Sequence, residues 1–256
     1  MPLTFPSHAA PVLPLKLWRP RWFDGVALCA GTVTPDAGYL LRGTAAEPMP
    51  THSLAGLIWW CLPVALVYTW IFRRTVGPVA RQLPGRWRAY AGIGGHRHRL
   101  WITLSSALVG SLSHLGWDWL THTDGWLRAL VGMDFHAATG IHWWTVSDLT
   151  STVVGGVVAV LVAARFAGRT EVVGADRSAP PGRRWLFWTV AAVTMGLGLA
   201  VLPFLPAAWT VAALGVRLLH LGAVALLLGA AAVRFGSPAQ SEPRESGTAR
   251  PAPAST

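Results

Sequence analysis

Long apolar runs separated by short polar intervals set the plan of this chain. Runs close to the roughly 20 residues that a bilayer requires extend over Leu54 to Phe72, Leu100 to Leu120, Val146 to Phe166, Trp185 to Leu205 and Ala207 to Val233. The breaks between them include "RRTVGP", "RTEVVGADRSAPPGRR" and "PFLP". This pattern predicts an all-α, polytopic membrane helix bundle of about five transmembrane helices. A shorter apolar stretch, Val26 to Leu41, is interrupted by Pro35 and Asp36 and predicts an N-terminal helical segment, either re-entrant or lying on the surface. Residues 1–235 thus read as a single membrane-embedded domain, with the spans in 185–235 accessory to a motif-bearing part over about 1–165. The Pro/Ser/Ala-rich tail, 236–256, has the composition of a disordered segment.

Composition supports the membrane reading. The chain is 52% hydrophobic and 12% charged, against about 25% charged in soluble domains, and its mean hydropathy is +0.43. The net charge of +10 comes almost wholly from arginine, and its distribution is a topology signal. Arg73 to Arg99 holds seven arginines and no acid, and Gly168 to Arg184 holds four more, whereas Thr121 to Thr145 holds only Arg128. The positive-inside rule makes the first two loops cytoplasmic, the C-terminus with them, in a multi-pass membrane protein. Trp59, Trp60, Trp117, Trp119, Trp126, Trp143 and Trp144 then gather at the outer interface. Lys16, Arg19 and Arg21 fall outside in this scheme unless Val26 to Leu41 crosses. No basic, aromatic-laced polar patch calls for nucleic acid. Cys29 and Cys61 lack CxxC spacing and read as small buried hydrophobes. The first residues lack the ordered regions of a signal peptide, so insertion is expected to rely on the later spans.

Against this apolar background, "GSLSHLGWDWLTH" places His114, Asp118 and His122 four residues apart, on one helical ridge. His52 opens the first span, His142 and Asp148 begin the Val146 span, and His8 and Asp36 precede them all. On the expected topology these pieces converge on one leaflet, and imidazole with carboxylate suits zinc, manganese or iron. The ridge rises about 12 Å from His114 to His122, too far for one ion bonded at about 2.1 Å. Either the helix ends before His122 or Asp118 bridges two ions. A carboxylate near hydrocarbon costs roughly 3 kcal/mol unless paired, hydrated or metal-bound, which argues for a shared site. His96 and His98 sit in the arginine-rich loop as solvated residues, and Arg217 and His220 lie within the last span. Arg217 either snorkels or faces the site as a phosphate clamp.

"SHAA", "TPDAGY", "THSLAG", "SHLGWDWLTH" and "VSDLTSTVVG", in that order, resemble the motifs of a bacterial membrane-protein family catalogued as domain of unknown function 4184. The last motif departs from the family's usual Gln, His or Tyr, Ser, Ser: here it reads Ser147, Asp148, Leu149, Thr150, Ser151. More distantly, the order of His and Asp is similar to inner-membrane metal-dependent hydrolases and to zinc-dependent phospholipase C and single-strand nucleases. That resemblance implies His8, Asp36, His52, His114, Asp118 and His122 as metal ligands, with Asp118, His114 and Asp36 as the catalytic groups. The closing His-x-x-x-Glu pair of those enzymes is absent, and the spacing of His142 and Asp148 does not replace it.

The function expected is hydrolysis of a phosphoester, in a lipid or lipid-linked substrate, at an extracytoplasmic site holding zinc, as one ion or two. Such ions acidify water and hold phosphoryl oxygens. Two alternatives stand beside it. A transporter or proton relay would distribute ionisable residues through the bilayer depth. A non-catalytic membrane protein would use the metal to staple helices.

Overall fold

The computed structural model describes residues 7–48, 50–95, 97–169 and 184–235. The C-terminal tail, His96 and most of the loop between Gly168 and Arg184 lie outside the described residues. Every regular element among those described is helical. The principal helices are α1 (Leu13–Trp18), α2 (Gly25–Ala37), α3 (Leu54–Ala80), α4 (Leu100–His122), α5 (Gly125–Val131), α6 (Phe135–Thr139), α7 (Trp143–Arg169), α8 (Arg184–Val201) and α9 (Val211–Phe235). Four helices, α3, α7, α8 and α9, are long and apolar enough to cross a membrane. The fifth expected span, α4, has the length at 23 residues, about 34 Å. Its polar ridge leaves it outside the strongly apolar set.

The centre of the bundle is the pair α2 and α4, which run in the same direction. Asp24 caps α2 by accepting from the amides of Val26 and Ala27. Its own amide donates to Ser106 Oγ near the start of α4. Further along, Ser111 Oγ donates to the Gly31 carbonyl. The backbones nearly touch here: a Cβ on Gly31 would lie 2.2 Å from the Ala107 carbonyl oxygen, and one on Gly110 would lie 2.3 Å from that of Leu28. Small residues permit such contact between helices in an apolar setting.

Val26 to Leu41 is therefore not a surface helix; Ala27, Leu28 and Ala37 are at most 1% exposed. The N-terminal segment starts beside α4 at His8, reaches the arginine-rich end through α1, and returns along α2 to Asp36. Lys16 Nζ lies 3.2 Å from His98 Nε2 and donates to the Pro20 and Phe23 carbonyls. The basic residues around Lys16 thus belong with the arginine-rich end, not with the opposite one.

Helix α3 starts at the cap Ser53, which accepts from the Gly56 amide. It widens into a π turn over Leu57–Cys61 just before Pro63. Proline lacks an N–H, and its ring presses on the preceding turn, which a π turn relieves. Helix α7 is fixed to α4 by Ser147 Oγ donating to the Thr121 carbonyl at 2.5 Å. At its far end Tyr90 donates to the Ala163 carbonyl. The hairpin α8–α9 is tied to α3 by Tyr68 Oη donating to His220 Nε2 at 2.6 Å. Of the tryptophans expected at one interface, Trp59, Trp119 and Trp144 are exposed. Trp60, Trp126 and Trp143 instead turn their indole N–H groups onto carbonyls of Thr34 and Leu120.

Candidate metal centre

Four pieces of chain meet at the end of the bundle opposite Arg73. A short 3-10 turn, Ser7–Ala9, carries His8; the last turn of α2 carries Asp36; the loop before α3 carries His52; and α4 carries His114, Asp118 and His122. Each is seated by a local device. A Cβ on Gly155 of α7 would meet Ser7 Cβ at 2.3 Å, so this glycine lets the N-terminal turn dock and bring His8 in. A Cβ on Gly56 would meet the Thr51 carbonyl oxygen at 2.6 Å, so the loop can fold back over α3 and present His52.

Asp118 lies at the middle of the cluster. Its Oδ2 is 3.2 Å from His114 Nε2 and 3.7 Å from His52 Nε2. Its Oδ1 is 3.6 Å from His8 Nε2 and 3.4 Å from His122 Nδ1. Asp36 Oδ1 is 3.2 Å from His52 Nε2 and 3.6 Å from His114 Nε2. The His8 ring stacks on that of His114 with centroids 3.9 Å apart.

The geometry passes a simple test for a cation. Donors bonded tetrahedrally at about 2.0–2.1 Å must lie about 3.4 Å from one another. Among Asp36 Oδ1, His52 Nε2, His114 Nε2 and Asp118 Oδ2, four separations fall between 3.2 and 3.7 Å. The groupings His8–His114–Asp118 and Asp36–His52–His114 each bring their donor atoms within 4.8 Å of one another. The tautomer agrees. His114 Nδ1 donates to the Thr32 carbonyl at 2.7 Å, which leaves the lone pair on Nε2, a buried atom with no hydrogen-bond partner among the described residues. A histidine fixed through one nitrogen to a carbonyl and free at the other is the usual arrangement of a metal ligand. Burial, reinforced by the neighbouring His114, pushes the His8 imidazole down to about 3, so this ring is neutral near pH 7.

The structure sorts the remaining candidates. Helix α4 continues through His122, so a helix break before that residue is excluded. His122 Nε2 lies 3.3 Å from Asp148 Oδ1, which brings Asp148 to the cluster despite its atypical motif. His142 does not join: it is exposed and stacks on His136 at 4.2 Å, because it precedes the first turn of α7. Arg217 neither snorkels nor serves as a clamp. It is buried, and its Nε and two terminal nitrogens donate to the carbonyls of Leu40, Pro206 and Arg42. The sequence reading missed the Thr32 carbonyl, a backbone group that only the α2–α4 contact places on His114.

The chain belongs to the family described as domain of unknown function DUF4184, whose sequence profile matches residues 1–235. The match extends past the quoted motifs to include α8 and α9. No curated protein and no solved structure matches the chain, so no homologue carries the more distant likeness to hydrolases.

Proposed function

We propose that this protein is a membrane-embedded, metal-dependent hydrolase of phosphoesters. The observation that carries the reading is the convergence of Asp36, His52, His114 and Asp118, four of whose six donor separations lie between 3.2 and 3.7 Å, with His8–His114–Asp118 and Asp36–His52–His114 as two three-residue groups able to hold an ion. Zinc is the ion proposed, with His8 stacked beside the set. Such an ion polarises a phosphoryl oxygen and makes water nucleophilic near neutral pH. The chain's own groups do the positioning. Thr32 holds the His114 ring in one orientation, and Thr51 Oγ1, 3.0 Å from His52 Nδ1, holds His52 through its other nitrogen. Asp118 orients the whole cluster, since its two oxygens reach all four histidines within 3.7 Å.

Substrate would approach from the side on which Asp36, His52 and Asp118 keep 17%, 28% and 20% of their side chains exposed. Leu54, Trp119 and Trp144, also exposed, belong to the same end of the bundle, which suits a lipid or lipid-linked ester. The site is assigned to the extracytoplasmic side of the inner membrane, because the arginines cluster at the opposite end. A topology reporter fused after Thr123 should read as extracytoplasmic; a cytoplasmic reading overturns this placement.

The hydrolase reading is tested by metal content in detergent-purified protein, followed by a phosphodiesterase screen on lipid head-group esters. Wild type should hold stoichiometric zinc, and His114→Ala and Asp118→Ala should lose it. A metal-free wild type ends the proposal, and metal without turnover favours a structural staple. One observation touches the relay alternative: buried hydroxyls of Ser106, Ser111, Thr34 and Thr32 line the α2–α4 seam. Thr32 and Thr34, however, donate to the carbonyls of Cys29 and Gly31, and Ser111 donates to that of Gly31. Hydroxyls bonded to carbonyls in this way hold helices together.

A further inference from the structure

We infer that a second divalent cation binds between His122 and Asp148, next to the four-donor set and separate from it. The inference rests on the metal-binding reading above but on different atoms. Asp148 is 1% exposed, and neither of its carboxylate oxygens has a hydrogen-bond partner among the described residues. A buried carboxylate is held in a protein only when a positive charge or several donors face it. Among the described residues, the group that faces it is His122 Nε2, 3.3 Å from Oδ1 and likewise without a hydrogen-bond partner there.

The tautomer of His122 decides what this pair can hold. Thr121 Oγ1 donates to the Trp117 carbonyl, so it accepts at its contact with His122 Nδ1. The Asp118 carbonyl, 3.2 Å from the same nitrogen, is also an acceptor. Nδ1 therefore carries a proton, and in the neutral ring Nε2 presents a lone pair to a carboxylate. Two lone-pair donors in apposition fit a cation between them. One turn along α7 from Asp148, Thr152 Oγ1 is also buried without a hydrogen-bond partner among the described residues, and it offers a neutral oxygen. Asp118 Oδ1, turned toward His122 and away from the first set, supplies the link between the two positions. Imidazole with carboxylate and hydroxyl oxygen suits zinc or manganese.

The test is metal content of the full-length protein in detergent, with a cobalt(II) titration followed by visible absorption as a second measurement. Wild type should hold two equivalents and titrate in two steps. Asp148→Asn and His122→Gln, both close in shape to the native side chains, should each hold one equivalent and titrate in a single step. Asp36→Asn should lose the first equivalent and retain the second. A wild type that holds one equivalent, lost in Asp36→Asn but unchanged in Asp148→Asn, overturns the second site and leaves the first intact. That result would mean a protonated His122 neutralises Asp148. A wild type with no metal overturns both. Should either α7 or α4 variant fail to fold, the one-step or two-step titration of wild type still decides.

Discussion

The two ends of the α2–α4 pair each bury carboxylates, and they do so in opposite ways. At the arginine-rich end, Asp24 is fully compensated: Arg73 pairs with it, Thr103 Oγ1 donates to it at 2.7 Å, and two amides of α2 complete the set. Every neighbour of Asp24 brings a proton or a positive charge. At the histidine end, Asp36, Asp118 and Asp148 face imidazole nitrogens, of which His114 Nε2 and His122 Nε2 have no hydrogen-bond partner among the described residues. A carboxylate surrounded by donors is a structural joint. One that faces imidazole nitrogens left without hydrogen-bond partners is a candidate for holding a cation. Burial alone does not separate the two; the neighbours' protons do.

Substitutions at the two ends should accordingly fail in different ways. The largest effect is expected for Asp118→Ala, which removes the group common to all four histidines: bound zinc should fall below about a tenth of the wild-type content while the protein stays helical. A metal content close to wild type would erase the distinction between the ends. Asp24→Ala should do the reverse. It leaves Arg73 without its partner, costing about 3 kcal/mol or more, read as a large drop in thermal midpoint in detergent, with zinc per folded molecule unchanged.

Gly110→Ala probes the seam that joins the two ends. The added Cβ would collide with the Leu28 carbonyl and shift Thr32 away from His114. Loss of such a supporting contact weakens metal binding about 10- to 100-fold, measurable by chelator competition. The smallest effect concerns pH. His8 is neutral in the fold, with its imidazole lowered to about 3 from an ordinary value near 6.5. The unfolded chain then binds the extra proton first as pH falls. Stability of the metal-stripped protein should be constant above about pH 6.5. It should decline below that by up to about 1.4 kcal/mol per pH unit, until the folded value is reached. In His8→Ala this component of the slope should vanish, and a persisting slope would assign it to another group.

Much of this architecture was legible from local signals. Apolar runs of bilayer length marked the long helices, and the four-residue spacing of His114, Asp118 and His122 marked the ridge. His8, Asp36 and His52, each in a short motif, do meet that ridge. The status of α4 as a span was less legible, because the polar residues that build the site are those that dilute its hydropathy. The path of the first fifty residues was less legible for a related reason. Pro35 and Asp36 look like interruptions of an apolar stretch, yet both sit in the last turn of α2, so the helix survives them.

By itself the sequence determined the helical class, the family and which residue types could gather, because periodicity and motif spacing are properties of neighbouring residues. Tertiary structure alone decided which of them share a site. His142 and Asp148 are six positions apart, yet only Asp148 lies within the first turns of α7, on the side facing His122. Arg217 looked available for an anion until the connections at Leu40, Arg42 and Pro206 turned their carbonyls toward it. The Thr32 carbonyl that fixes His114 has no side-chain signature at all. Its role comes from two glycines on separate helices, which let the backbones approach closely enough for a main-chain oxygen to choose the tautomer of a ring 82 positions away.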